Sequence, residues 1–155
     1  MGIKKVSLVI DKSVRTLCYR PYPLHPKGCP NYGKKETCPP KVELITELLD
    51  LSKPVYVVWN VFDLASHVER MKEAHPNWSQ RQLHCCLYWQ PKARKILRKE
   101  IEGLGLWLLG KRILFVPEAC GVNVTATMAS IGEILEWPPV TKTYQVAIVG
   151  EPSDI

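Results

Sequence analysis

Three of the six cysteines lie within 21 residues, CYRPYPLHPKGCPNYGKKETC, from Cys18 to Cys38. Thiolates are soft ligands, so metal binding is the first chemistry this pattern suggests. The spacings are C-x10-C-x8-C, with Cys85-Cys86 and Cys120 further along the chain. Zinc ribbons and fingers use close C-x2-4-C pairs, and the chain has none. Widely spaced thiolates on separate loops suit a four-iron cluster, which is several ångströms across. The expected cofactor is therefore a [4Fe–4S] cluster, with zinc as the alternative. Cys29 and Cys38 head the ligand set, because a following proline turns the chain away from each sulfur, as at the last cysteine of bacterial ferredoxin runs. Cys120 is the distant candidate. It lies in Glu118-Ala119-Cys120-Gly121, after an expected strand and before an expected helix whose N-terminus would favour a thiolate. Its alternative is a buried structural thiol. Cys18 is the fourth candidate. Cys85 and Cys86 are expected on a helix, facing different ways, with one in the core. His25 reads as a loop histidine, and His67 and His84 as packed or surface side chains.

These residues need a frame. Six of the thirteen prolines fall between Cys18 and Pro40, so that segment is a stiff irregular loop rather than a helix or central strand. Strands are expected at Ile3–Ile10, Val55–Phe62, Lys111–Val116 and Tyr144–Val149 from their β-branched and aromatic content. Helices are expected over Lys41–Leu51, after Asp63, and from the Ser79-x-x-Gln82 capping box through Trp89. Pro91 either kinks that last helix or starts another, which carries Ala93, Ile96, Leu97, Ile101 and Leu104 on one stripe. A further helix is expected over Asn123–Ser130. Alternating strands and helices imply an α/β fold: a single-domain layered sheet with helices and a Pro/Cys-rich metal-binding loop, the sheet mixed or mostly parallel. One domain is expected over residues 1–150, with a frayed tail at 151–155.

With 46% hydrophobic residues, the 155-residue chain can build a core. No apolar run reaches the roughly 18 residues of a membrane span, and the N-terminus does not read as a signal peptide. A cytoplasmic location is expected, and in a reducing cytosol six cysteines argue for metal or redox chemistry over disulfides. The net charge of +6 permits an anionic partner, although the basic run Lys92–Lys99 also reads as a solvated helix face. Neither G-x-G-x-x-G, nor a P-loop, nor a G-x-S-x-G elbow is present, which argues against nucleotide-cofactor enzymes and serine hydrolases.

CPNYGKKETCPP at Cys29–Pro40, WSQRQ…YWQPKARKIL at Trp78–Leu97 and PEACGVNVTAT at Pro117–Thr127 occur in this order. Together they make the chain, from about Thr16 to Gly150, resemble a prokaryotic family of small cysteine-rich "predicted metal-binding proteins" of unknown function. The resemblance implies ligands at Cys29, Cys38 and Cys120, with Cys18 less secure. Many relatives have a close cysteine pair before the CPNYG motif, and Pro26 stands here in place of that partner. A three-cysteine cluster with one open iron is thus one expectation. It would act as a Lewis acid on a small or anionic substrate, with Glu118 as acid/base, Lys34 or Lys35 holding the substrate's charge and Tyr32 packing beside it. Glu118 also reads as a surface charge. A second expectation is an electron-transfer or iron–sulfur scaffold protein, closed by Cys18 and serving an electron-transfer partner. A third is a zinc-stabilised nucleic-acid-binding module, using its positive charge and exposed aromatics.

Overall fold

The computed structural model describes residues 1–153 other than 23, 24 and 31; these three and residues 154 and 155 lie outside the described set. Part of the proline loop and the end of the expected tail therefore fall outside it.

The chain forms β1 (Gly2–Lys5), α1 (Ile45–Leu48), β2 (Tyr56–Phe62), α2 (Leu64–Ala74), α3 (Gln80–His84), α4 (Gln90–Glu102), β3 (Arg112–Leu114), α5 (Val124–Ala129) and β4 (Thr143–Gly150). Short 3-10 turns cover Lys12–Cys18, Cys86–Tyr88, Gly105–Leu108 and Pro117–Cys120. One four-stranded sheet is ordered β1-β2-β4-β3. The α/β class is as expected, but every pairing is antiparallel, not mixed or mostly parallel. Parallel neighbours need a crossover that returns the chain to the same end of the sheet. Here the segment carrying α5 brings β4 back beside β3 in the opposite direction.

The sheet is buried on both faces. On one face Val57, Leu114 and Ile148 pack with Ile45, Leu49, Val122 and Met128. On the other, Val58, Ala147 and Val149 receive Leu97 and Ile101 of α4. A third cluster joins the three helices through Leu64, Val68, Leu83, Cys86, Trp89 and Ala93. Of the expected stripe on α4, Ala93, Leu97 and Ile101 face inward while Ile96 is exposed, as are Lys92, Lys95, Arg98 and Lys99. Most of the basic run is thus a solvated helix face.

Three expected elements changed for identifiable reasons. The first strand stops at Lys5, because residues 9–11 turn to pair with Gly121–Asn123: Asp11 N–H donates to the Gly121 carbonyl and Asn123 N–H to the Val9 carbonyl, each at 2.8 Å. The helix expected over Lys41–Leu51 shrinks to Ile45–Leu48. Backbone groups on both sides have other partners: the Val42 carbonyl accepts from Arg15, and Asp50 N–H donates to the Glu151 carbonyl at 2.9 Å. That bond, with Ser153 N–H to the Leu48 carbonyl at 3.1 Å, also ties down residues 151–153, which the sequence reading leaves frayed. The third is the helix expected from Ser79 through Trp89. Ser79 and Gln82 do form the capping box, but the helix breaks at Cys85, whose backbone is extended. Pro91 then sits in the first turn of α4, where its missing N–H costs nothing. Asp63 and Asn123 cap α2 and α5 as their positions suggest.

Among the described residues no helix is long and apolar enough to cross a membrane.

Candidate metal centre

The cysteine loop is anchored at its start by Arg15. Its guanidinium donates to the Ala119 carbonyl at 2.7 Å and also to the Val42 carbonyl, tying the 3-10 turn before Cys18 to the segments around Cys120 and Pro40. The chain then leaves through Tyr19 and returns at Gly28. Cys29 N–H donates to the Cys18 carbonyl at 2.9 Å, which sets the two cysteines side by side. Gly28 makes this crossing possible. Its φ is +76°, and a Cβ there would lie 2.8 Å from the Tyr19 carbonyl carbon and 3.0 Å from the Cys18 oxygen. Beyond Cys29 a tight turn follows, in which Tyr32 N–H returns to the Cys29 carbonyl at 3.1 Å and the Tyr32 ring meets Tyr19 edge-on at 5.4 Å. Cys38 N–H donates to the Lys35 carbonyl at 3.0 Å, closing the last turn of the loop.

Cys18 and Cys29 lie side by side, and the charge of Cys38 reaches Cys18. The Cys18 thiol is pushed up to about 11 by desolvation first, and then by the negative charge of Cys29, Glu118 and Cys38, with Arg15 opposing. Thiols that raise one another in this way release their protons when a metal cation replaces them. Cys120 is placed differently. It is 1% exposed, inside the core with Ile45, Val122 and Met128. Its pKa, also about 11, comes mainly from burial, and the charged groups acting on it are Arg15, Arg112 and Glu118 rather than another thiol. Gly121 follows in the left-handed region at φ +88°, as its position after Cys120 suggests.

Cys86 is buried at the start of the Cys86–Tyr88 turn, in the helical corner with Leu83, Trp89 and Ala93, and its thiol is pushed up to about 11 by burial first and then by the negative charge of Cys29 and Cys85. Tyr22 pairs through both backbone groups with His25, and the two rings stack at 4.3 Å. His25 is therefore a packed side chain of the loop. Sequence reasoning placed Cys85 and Cys86 on one continuous helix. The extended backbone at Cys85 ends that helix and leaves Cys86 packed in the corner with Leu83, Trp89 and Ala93.

Among the weaker candidates, Glu118 is exposed by surface area, yet desolvation raises its pKa. Its carboxylate acts on Cys18 and is opposed by Arg94. Lys34 and Lys35 are exposed on the loop surface. His67 is buried beside Phe62, and His84 Nδ1 lies 2.9 Å from the Gln80 carbonyl. A cavity of about 200 Å³ bounded by Asn60, Phe62, Ala93 and Glu100 contains no cysteine, so it does not compete as the metal site.

No disulfide joins any of the cysteines. Among the described residues no three Cys, His, Asp or Glu side chains converge tightly enough to hold a single metal ion. No family model, curated protein or solved structure matches this chain.

Proposed function

We propose that this chain is a [4Fe–4S] cluster-binding protein with Cys18, Cys29 and Cys38 among the ligands. The observation that carries the reading is the Cys18 thiol, stitched beside Cys29 and acted on electrostatically by both Cys29 and Cys38. A zinc ion would draw four ligands to within about 2.3 Å of one point. A cluster accepts thiolates that stand further apart. Arg15 and Arg94 near the thiols would offset the negative charge of thiolates and cluster. The resemblance to cysteine-rich metal-binding proteins points the same way, and a reducing cytoplasm is the compartment in which such thiols stay available.

When bound, the cluster would supply one-electron chemistry, or Lewis acidity at an iron left without a cysteine. The protein's share is to hold the thiolates, keep water from Cys18 and Cys86, and present Glu118, Lys34 and Lys35 at the edge. An anionic small molecule or an electron-transfer partner would meet that edge.

The test is iron, acid-labile sulfide and zinc content, with a visible spectrum, on protein purified without oxygen. About four irons and four sulfides per chain with a broad charge-transfer shoulder is the expected result. One zinc without colour would overturn it and favour the nucleic-acid-binding module, whose affinity for RNA or DNA must then fall steeply with salt.

A further inference from the structure

We propose that the turn between α4 and β3 is a membrane anchor: Leu106 and Leu109 at its tip enter the interface of an anionic lipid bilayer, on which the protein lies without crossing it. This role is independent of the cluster reading above.

The turn around Gly105–Leu108 divides its apolar side chains between two directions. Leu104, Trp107 and Leu108 pack against the cluster of Val58, Leu97, Ile101 and Val149. The Trp107 ring meets Tyr56 edge-on at 5.1 Å, which fixes the base of the turn to β2. Leu106 and Leu109 point the other way. They are 88% and 80% exposed, more open than any other large apolar side chain among the described residues. Residues three apart eclipse in a 3-10 helix, so the two leucines share one side. Leu109 N–H donates to the Leu106 carbonyl at 3.1 Å, and Lys111 N–H to the Leu108 carbonyl at 2.9 Å, which hold the tip in shape. A Cβ at Gly105 or Gly110 would meet nothing within 4 Å, so the tip stands clear of the rest of the protein. Single exposed leucines are ordinary on a surface. Two on one side of an anchored projection leave water only when something covers them.

The surrounding charge identifies the cover. From residue 95 to 112 the chain carries Lys95, Arg98, Lys99, Lys111 and Arg112 against Glu100 and Glu102. Glu100 is turned towards β2: the Asn60 amide donates to it at 3.4 Å, and the Met1 amino group stands 3.9 Å from it. Lys111 Nζ lies 5.2 Å from the centre of the Trp107 ring, and the Arg98 guanidinium 4.8 Å from that of Phe115. Both rings belong to the packing at the base of the turn, so both cations border it. An apolar tip with a cationic collar is complementary to an anionic bilayer, the leucines reaching the acyl boundary and the cations the headgroups. A second copy of this chain would set collar against like collar. The other exposed apolar stretch, with Ile134, Trp137 and Val140, runs alongside Glu133 and Glu136 and has Lys142 as its cation, so it lacks such a collar.

The experiment is sedimentation of the chain with sucrose-loaded vesicles of phosphatidylcholine, alone or mixed with phosphatidylglycerol, at low and high salt. Wild type is expected to bind the anionic vesicles, to release them as salt rises, and to ignore the neutral ones. Leu106→Ser/Leu109→Ser is expected to bind at least about tenfold more weakly, from the lost burial of two leucines, with an unchanged melting temperature because both side chains are exposed. Lys99→Glu/Lys111→Glu is expected to lose the preference for anionic vesicles. Wild type that stays in solution with anionic vesicles, or a leucine variant that binds them as wild type does, would overturn the proposal. So would a wild-type dimer that the leucine variant converts to monomer in sedimentation velocity, which would assign the tip to a second copy of the chain.

Discussion

Gly28 shows how much of the site depends on one side chain being absent. Its positive φ and the sub-3 Å approach of Tyr19 backbone atoms leave no room for a methyl group. Gly28→Ala is expected to cost about 1–3 kcal/mol from backbone strain alone, with the clash added. Its specific effect should be on the Cys18–Cys29 pairing, so iron retention should fall by more than the melting temperature suggests. Equal iron content with a lower melting temperature would show that the crossing does not govern ligation. The thiols themselves carry a pH signature. Cys18, Cys86 and Cys120 all rise from 9.0 to about 11 in the folded chain. Between those values the unfolded thiols ionise while the folded ones keep their protons. The unfolded state then binds fewer protons, and stability falls as pH rises. Metal-free protein is expected to be at full stability below about pH 9 and to lose stability from there towards pH 11. Urea melts across this range check it, and a flat profile would place these thiols in more open surroundings.

At the scale of elements, the fold anchors the start of the loop to two distant segments. Arg15 ties it to the Pro117–Cys120 turn and to the segment before α1. Trp89 fixes the turn between α3 and α4. It is 7% exposed, its ring stacks on Phe62 at 5.5 Å, and its Nε1 donates to the His84 carbonyl at 3.2 Å. Trp89→Ala is expected to destabilise the protein by about 3–5 kcal/mol, measurable by urea unfolding. A loss under about 1 kcal/mol would show that Trp89 does not hold this corner.

For the whole molecule, the sheet and α4 form a core independent of the loop. Most residues from Lys27 to Lys41 are exposed, and the buried clusters include none of them. Their order depends on turns, on Arg15 and on whatever the cysteines hold. Chelation or acid removal of the metal is expected to open this segment while leaving the sheet folded. Limited trypsin digestion should then cut first at Lys27, Lys34 or Lys35, with the far-ultraviolet circular dichroism little changed. Protection of those lysines without metal would show that the loop is held by protein contacts alone.

Much of this was legible along the chain, because it depends on neighbours in sequence. Asp63, Ser79 and Asn123 cap their helices through side chains that reach only three residues. The stripe of α4 follows from helical periodicity, and the proline content of residues 18–40 determines an irregular loop whatever surrounds it. Strand direction was not legible, because alternating elements do not say whether a connection crosses over or turns back. Nor were the limits of β1 and α1. Their backbone groups are claimed by Gly121–Asn123, Arg15 and Glu151, which lie far away in sequence. The same reason divides the cysteines. Proximity of Cys18, Cys29 and Cys38 could be anticipated from one short loop. The burial of Cys120 in the sheet core and of Cys86 in the helical corner depends on how sheet and helices close on one another, so only the tertiary structure decided it.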